Sequence, residues 1–343
     1  MPPPQCVVAA SNICMLLRHH VSMSISQFVL AALISWVGTT RMGVAQSTCS
    51  DRAVTAVQVL GSGGPMHGGR RASASYLLWH KGRPPILIDA GAGTSVALAR
   101  IGVDEAALTT ILITHLHPDH VSDLPDLIWG MSVQNRNSSL RIAGPTGSGE
   151  FLGIRTFLFR LFGPQGAFPY MKDVLDGQGI ALHIDEVDAT QGHGAETVLQ
   201  DGDLTVLAYP VEHGRSPTLA YRVNGPNFSV IFAADQTARD RRFARFAAGA
   251  DLLILHAILN PKGKDSDLAQ VVALPEDLAE TAAEAKPKRL LLGHLMLQPA
   301  DGSSREIWSL ADTSSITAAI RARYHGAFEF ASDLACYPVS GAQ

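Results

Sequence analysis

Short apolar runs closed by polar or turn-forming clusters recur along the chain from residue 54 onward. Val54–Leu60, Ser75–Trp79, Ile86–Ile88, Ile111–Thr114, Leu204–Ala208, Leu219–Val223, Ser229–Ala233, Leu252–Leu255, Leu290–Gly293 and Phe328–Ala331 have the length and content of strands. Lys81-Gly82-Arg83-Pro84-Pro85 marks the turn between the second and third. Helical spacing runs through Thr94–Arg100, Asp123–Val133, Glu276–Ala285 and Ser304–Tyr324, with Pro275 at the first turn of the third. This alternation predicts an α/β fold. Residues 144–200 break the rhythm. Phe151, Phe157, Phe159, Phe162, Phe168 and Tyr170 fall there among glycines and prolines. They are expected either to form a small core under a loop or to cap a site with an apolar wall.

The strand-like run at 111–114 opens directly into His115-Leu116-His117-Pro118-Asp119-His120. Three imidazoles and a carboxylate at the mouth of a buried strand are costly unless something pairs with them. Histidines two apart on an extended backbone point the same way, so His115 and His117 can reach one cation. Pro118 bends the chain, so Asp119 and His120 can face a second point. Imidazole and carboxylate donors suit zinc. His213, Asp235 and His294 each sit just past a later apolar run, and Asp89 sits past Ile86–Ile88.

With these residues the chain resembles the metallo-β-lactamase superfamily over roughly residues 54–336. The His-x-His-x-Asp-His motif is complete. The Asp-Gly strand end appears as Asp89-Ala90-Gly91, with Ala90 inserted. The resemblance implies a single four-layer αββα sandwich in which two zinc ions are held. His115, His117 and His213 would bind the first zinc. Asp119, His120 and His294 would bind the second, Asp235 would bridge the two, and Asp89 would orient a ligand histidine. Asp119 is also expected to take part in catalysis. A water shared by two such cations ionises near neutrality, with a pKa of about 7 instead of about 16, and becomes the attacking hydroxide.

A chain of 343 residues, 46% hydrophobic, suffices for one large domain. A net charge of −4 gives no sign of a polyanion partner. The short cluster Arg239, Arg241, Arg242 and Arg245 reads as the wet face of a helix that turns Phe243 and Phe246 inward. Residues 1–45 contain two basic and no acidic residues. The apolar core at 25–37 has signal-peptide length, and Gly43-Val44-Ala45 precedes Gln46 as a cleavage site. The expectation is a removed leader, a mature domain over 46–343, and a secreted or periplasmic protein without stable membrane association. An uncleaved anchor and a buried helix are the rival readings, and Met23 is an alternative start. Cys49 and Cys336 remain after cleavage, one near each end. They are expected either to bridge or to be two unrelated buried thiols.

His256 follows the run at 252–255, where the ribonuclease Z-like branch has a histidine thought to assist the leaving group. Here it comes one residue later and no Glu follows, so catalytic assistance and a structural role both stand. His67, His80, His183, His193 and His325 lack ligand-like neighbours and read as surface or loop residues, although His67, beside the glycine turn 61–64, could line the pocket. Asp235 argues against true β-lactamases, which lack a carboxylate there. That glycine turn and Ser216-Pro217-Thr218-Leu219-Ala220-Tyr221-Arg222 resemble the ribonuclease Z and arylsulfatase-like branch. The leader argues against tRNA processing. The expected function is therefore an exported dinuclear zinc hydrolase of a small phosphodiester or sulfate-type ester, with a small-molecule substrate and no nucleic acid. The alternatives are a lactonase or β-lactamase-like amidase and a non-catalytic zinc-binding protein.

Overall fold

Among the described residues, fourteen strands and seven α-helices follow one another in an order that repeats. The first half contributes β1 (Thr55–Gly61), β2 (Ser75–His80), β3 (Ile86–Ile88), α1 (Thr94–Arg100), β4 (Thr110–Leu112), α2 (Pro118–Val121), α3 (Leu124–Val133), β5 (Leu140–Pro145), α4 (Ile154–Phe162) and β6 (Leu182–Val187). The second contributes β7 (Glu196–Asp201), β8 (Leu204–Pro210), β9 (Leu219–Gly225), β10 (Phe228–Phe232), α5 (Arg241–Phe246), β11 (Leu252–His256), α6 (Pro275–Ala285), β12 (Arg289–Gly293), α7 (Thr313–Arg321), β13 (Ala327–Phe330) and β14 (Cys336–Pro338). This computed structural model describes residues 49, 55–66, 70–134, 136, 138–178, 180–258, 264, 267–296 and 313–339. The leader, Met23, His67 and the expected start of the last helix at Ser304 lie outside the described residues. Residues 46–343 form one unit. Among the described residues no helix is long and apolar enough to cross a membrane.

The strands build two seven-stranded sheets, ordered β14-β1-β2-β3-β4-β5-β6 and β13-β12-β11-β10-β9-β8-β7. In each, three antiparallel pairs lie on one side and three parallel pairs on the other. Alternation along each strand separates the layers. Tyr76, Ile88 and Leu112 face Tyr221, Val230, Ile254 and Leu291 of the other sheet. Their neighbours Leu77, Leu87 and Ile111 turn outward onto Leu98, Leu127 and Leu158 of α1, α3 and α4. Leu253, Leu290 and Leu292 likewise meet Phe243, Leu278 and Ile316 of α5, α6 and α7. These four layers are the αββα sandwich implied by the sequence.

Most of segment 144–200 belongs to this scaffold. It ends β5, covers the first sheet with α4, and supplies β6 and β7, one to each sheet. Phe162 is fully buried, whereas Phe159 and Tyr170 are exposed. The arginine cluster sits on and beside α5. Arg239 pairs with Asp277, and Arg241 with Glu280 and Glu284, so its charge is met by α6. Phe243 turns into the core and Phe246 packs on its edge. His80 departs from the surface reading. It is 3% exposed, and its Nδ1 lies 2.9 Å from Thr55 Oγ1.

Cys49 and Cys336 form a disulfide, with Cα atoms 5.5 Å apart. Gln58 accompanies the bridge: its Oε1 accepts from the Cys49 N–H, and its Nε2 donates to Leu334 O. The bond closes a span of 287 residues. In the chain-entropy model such a closure stabilises by at most about 5 kcal/mol. Cys336→Ser is expected to lower the unfolding midpoint by several degrees, at about 2–4 °C per kcal/mol. Calorimetry checks this, and an unchanged midpoint would show that the bridge contributes nothing.

Candidate metal centre

All the candidate residues emerge from one end of the sandwich, past strands that the sheet pairing aligns. β3 and β4 are parallel neighbours, as are β10, β11 and β12. Asp89 follows β3, and the His115–His120 loop follows β4. His117 precedes α2, where Pro118 takes the first helical position. That turn carries Asp119 and His120 away from His115 and His117. His213, Asp235 and His294 follow β8, β10 and β12, and His256 ends β11. A tie between the sheets fixes the two halves: Tyr221 OH donates to Ile113 O at 2.9 Å, and Leu219 N to Thr114 O at 2.9 Å.

The sequence-derived residues converge in two groups, His115–His117–His213 and Asp119–His120–His294. In the first, His117 Nδ1 lies 3.0 Å from His115 Nε2 and 3.2 Å from His213 Nε2. In the second, His294 Nε2 lies 3.2 Å from His120 Nε2 and 3.1 Å from Asp119 Oδ2. Asp235 Oδ2 lies between them. It is 4.0 and 3.8 Å from His115 and His213, and 3.7 and 3.5 Å from His120 and His294.

The outer edges of the rings are held by the chain. Asp89 Oδ2 faces His120 Nδ1 at 2.8 Å and accepts from Thr114 Oγ1, which in turn lies 3.0 Å from His115 Nδ1. Val271 O accepts from His213 Nδ1 at 2.7 Å. These partners place the N–H of His115, His120 and His213 on the far side of the ring, so that their Nε2 atoms, together with His117 Nδ1 and His294 Nε2, face inward. Lone pairs about 3 Å apart repel unless a cation sits among them. Tetrahedral zinc with nitrogen and oxygen ligands sets its donors about 3.4 Å apart, so both donor groups fit zinc. Gly64 packs against this centre, because a Cβ there would fall 2.4 Å from His294 Cε1.

Charge follows the same arrangement. Burial opposes ionisation of Asp235, but the positive edges of His294 and His120 outweigh it and hold the carboxyl well below its ordinary range. Burial opposes Asp119 too, yet the His294 hydrogen bond and His120 bring it to about 2. Burial pushes His115 well down and His117 down, with nearby imidazoles adding to the effect. Burial also opposes a charge on His120, but Asp89 and Asp235 raise it well above the usual imidazole range.

His256 stands behind Asp235 rather than over an open space. Its Nδ1 is 2.6 Å from Asp235 Oδ1, and its Nε2 is 3.1 Å from Tyr76 OH. Both ring nitrogens are therefore engaged, and the residue is 5% exposed. Sequence reasoning missed Tyr76 and the Val271 carbonyl. A lone tyrosine inside a strand and a backbone oxygen carry no pattern that marks them.

The chain matches the beta-lactamase superfamily domain over residues 85–295. It is 30% identical over 271 residues to ribonuclease Z of Mycobacterium sp. (strain KMS), covering 75% of this chain and 90% of that one. The fold is shared with YhfI of Bacillus subtilis at a TM-score of 0.62 and 19% identity, over 83% of this chain and 98% of that one. It is shared with human tRNase Z, short form, at a TM-score of 0.61 and 21% identity, over 83% of this chain and all of that one. The protein thus belongs to the metallo-β-lactamase superfamily, with ribonuclease Z among its relatives, and is a metal-dependent hydrolase.

Proposed function

We propose that the protein is a dinuclear zinc hydrolase of small phosphodiesters, exported by way of its first 45 residues. The observation that carries this reading is the position of Asp235 Oδ2, near two histidines of each donor group. His115, His117 and His213 would hold one zinc and Asp119, His120 and His294 the other, with Asp235 between the two groups. When bound, a zinc pair supplies a water ionising near pH 7 and a clamp on the attacking and leaving oxygens of an in-line displacement. Asp119, held ionised by His294 and His120, would accept a hydrogen bond from the attacking water. His256 and Tyr76 fix the Oδ1 edge of Asp235, which keeps Oδ2 turned to the centre. His256 acts through Asp235, since neither of its nitrogens is free for a leaving group. Sulfate-type esters present similar oxygens and remain in the same reading. RNA is the second reading, favoured by the relatives named for ribonuclease activity.

Protein purified without chelator is expected to contain two zinc ions per chain by elemental analysis. It should hydrolyse bis(4-nitrophenyl) phosphate faster than any cephalosporin, and lose this activity to chelation until zinc is restored. One metal or none after zinc dialysis defeats the dinuclear reading. Efficient cephalosporin or lactone turnover without phosphodiesterase activity defeats the substrate class, and faster cleavage of precursor tRNA favours the second reading.

Asp89→Ala removes the acceptor that fixes both His120 and Thr114. Zinc affinity, read by competition with a chromogenic chelator, should fall about 10–100-fold. Unchanged affinity would show that the His120 ring is oriented without Asp89. Export is checked by N-terminal sequencing of protein from the producing cell, where a start at Gln46 is expected. A start at Met1 or Met23 rules out removal of the leader.

A further inference from the structure

A cavity of about 400 Å³ opens beside the first donor group. Three loops wall it, and each leaves the end of the sandwich that carries the centre. Thr146–Phe151 follows β5, Ala189–Gln191 follows β6, and Gly214–Pro217 begins one residue after His213. The inner wall includes Phe151, whose ring centroid lies 6.4 Å from that of His117. At the rim, Arg215 pairs with Glu150 at 2.5 Å, and both side chains are largely exposed. None of these groups is used by the chemistry above.

We infer that this cavity seats a flat aromatic ester group of the substrate, an aryl ring or a nucleobase, stacked on Phe151 while the phosphate lies at the metal centre. The inference rests on the phosphodiester reading. Its size suits one ring system with an attached sugar, at the lower end of small-molecule pockets and far below a folded RNA. The aromatic wall is pre-formed. Ser148 and Phe151 exchange N–H···O bonds of 3.0 Å in both directions, and Thr146 N donates to Val187 O at 2.8 Å. Phe151 thus stands on a closed turn tied to the sheet, and stacking costs little reordering. Around it, Ser148 and Thr190 line the cavity, with the Thr190 hydroxyl held by Asp188 and the Ser148 hydroxyl available to the polar edge of a base. The rim pair is open to solvent, so Arg215 can exchange Glu150 for an anionic group of the substrate at little cost.

The test is calorimetric and does not need turnover. Zinc-loaded protein is titrated with phenyl phosphate, thymidine 5′-phosphate and methyl phosphate. The first two should bind about tenfold or more tightly than the third, as aromatic stacking predicts. Phe151→Tyr should keep that preference. Phe151→Ala should collapse it, with circular dichroism confirming the fold of this turn variant. Equal affinities in the unaltered protein, or a preference that survives Phe151→Ala, overturn the inference. A preference that depends on Phe151 supports the cavity assignment even without phosphodiester turnover, which would defeat only the reaction proposed above. Turnover of phosphodiesters with no such preference overturns the cavity assignment alone.

Discussion

The structure turns on one electrostatic constraint: Asp235 is ionised and 4% exposed at the end of an apolar sandwich. Removing such a charge from water costs several kcal/mol, and removing its partners while it stays buried costs as much again. The chain meets this by surrounding the carboxylate with imidazoles, two from each donor group. Thr114, Asp89 and the Val271 carbonyl hold His115, His120 and His213 from behind, and Tyr76 holds His256 on the far side of Asp235. Positive charge at the centre then completes an arrangement that the sandwich has already set in place.

That placement uses unusual backbone. Asp89, Ala234 and His294 have φ of 57°, 60° and 54°, in the left-handed region that most side chains avoid. Each costs of the order of 1–3 kcal/mol. All three lie where a strand has just ended and a functional side chain must turn back across the sheet edge. Gly91 serves the same crowding, since a Cβ there would stand 2.2 Å from Asp119 O. Three of the eight described non-glycine residues with positive φ thus fall on these turns, while β3, β10 and β12 beneath them pair without a register shift.

The candidate metal-holding residues were legible in the sequence because their chemistry is local. Histidines and aspartates at the ends of apolar runs have little reason to be there except to bind. Strands buried on both faces were legible for a related reason, as continuous apolar runs. β6 and β7 were not, because they are edge strands with partly exposed faces, and His183, Asp185 and Glu186 interrupt the first. β5 was hidden by Gly144 and Pro145, which read as a turn but lie inside a paired strand. α4 is obscured because its inward spacing of Ile154, Leu158 and Phe162 runs among further aromatics, Phe157 and Phe159, that blur the period. The placement of His256 could not be read at all. It depends on Tyr76, 180 residues away in sequence and brought close only when the sheets meet.

The donors are divided between the two sheets, and the last of them, His294, is separated from the first by most of the domain. A nascent chain therefore displays His115, His117, Asp119 and His120 long before their counterparts exist. Such a partial set binds a cation weakly, and the full set exists only when β12 has been made and docked. Metal retention in this protein is accordingly a mark of finished synthesis. Tighter binding to the completed state then draws the folding equilibrium toward it as the metal supply rises, and Cys336, later still in the chain, joins the product covalently to Cys49.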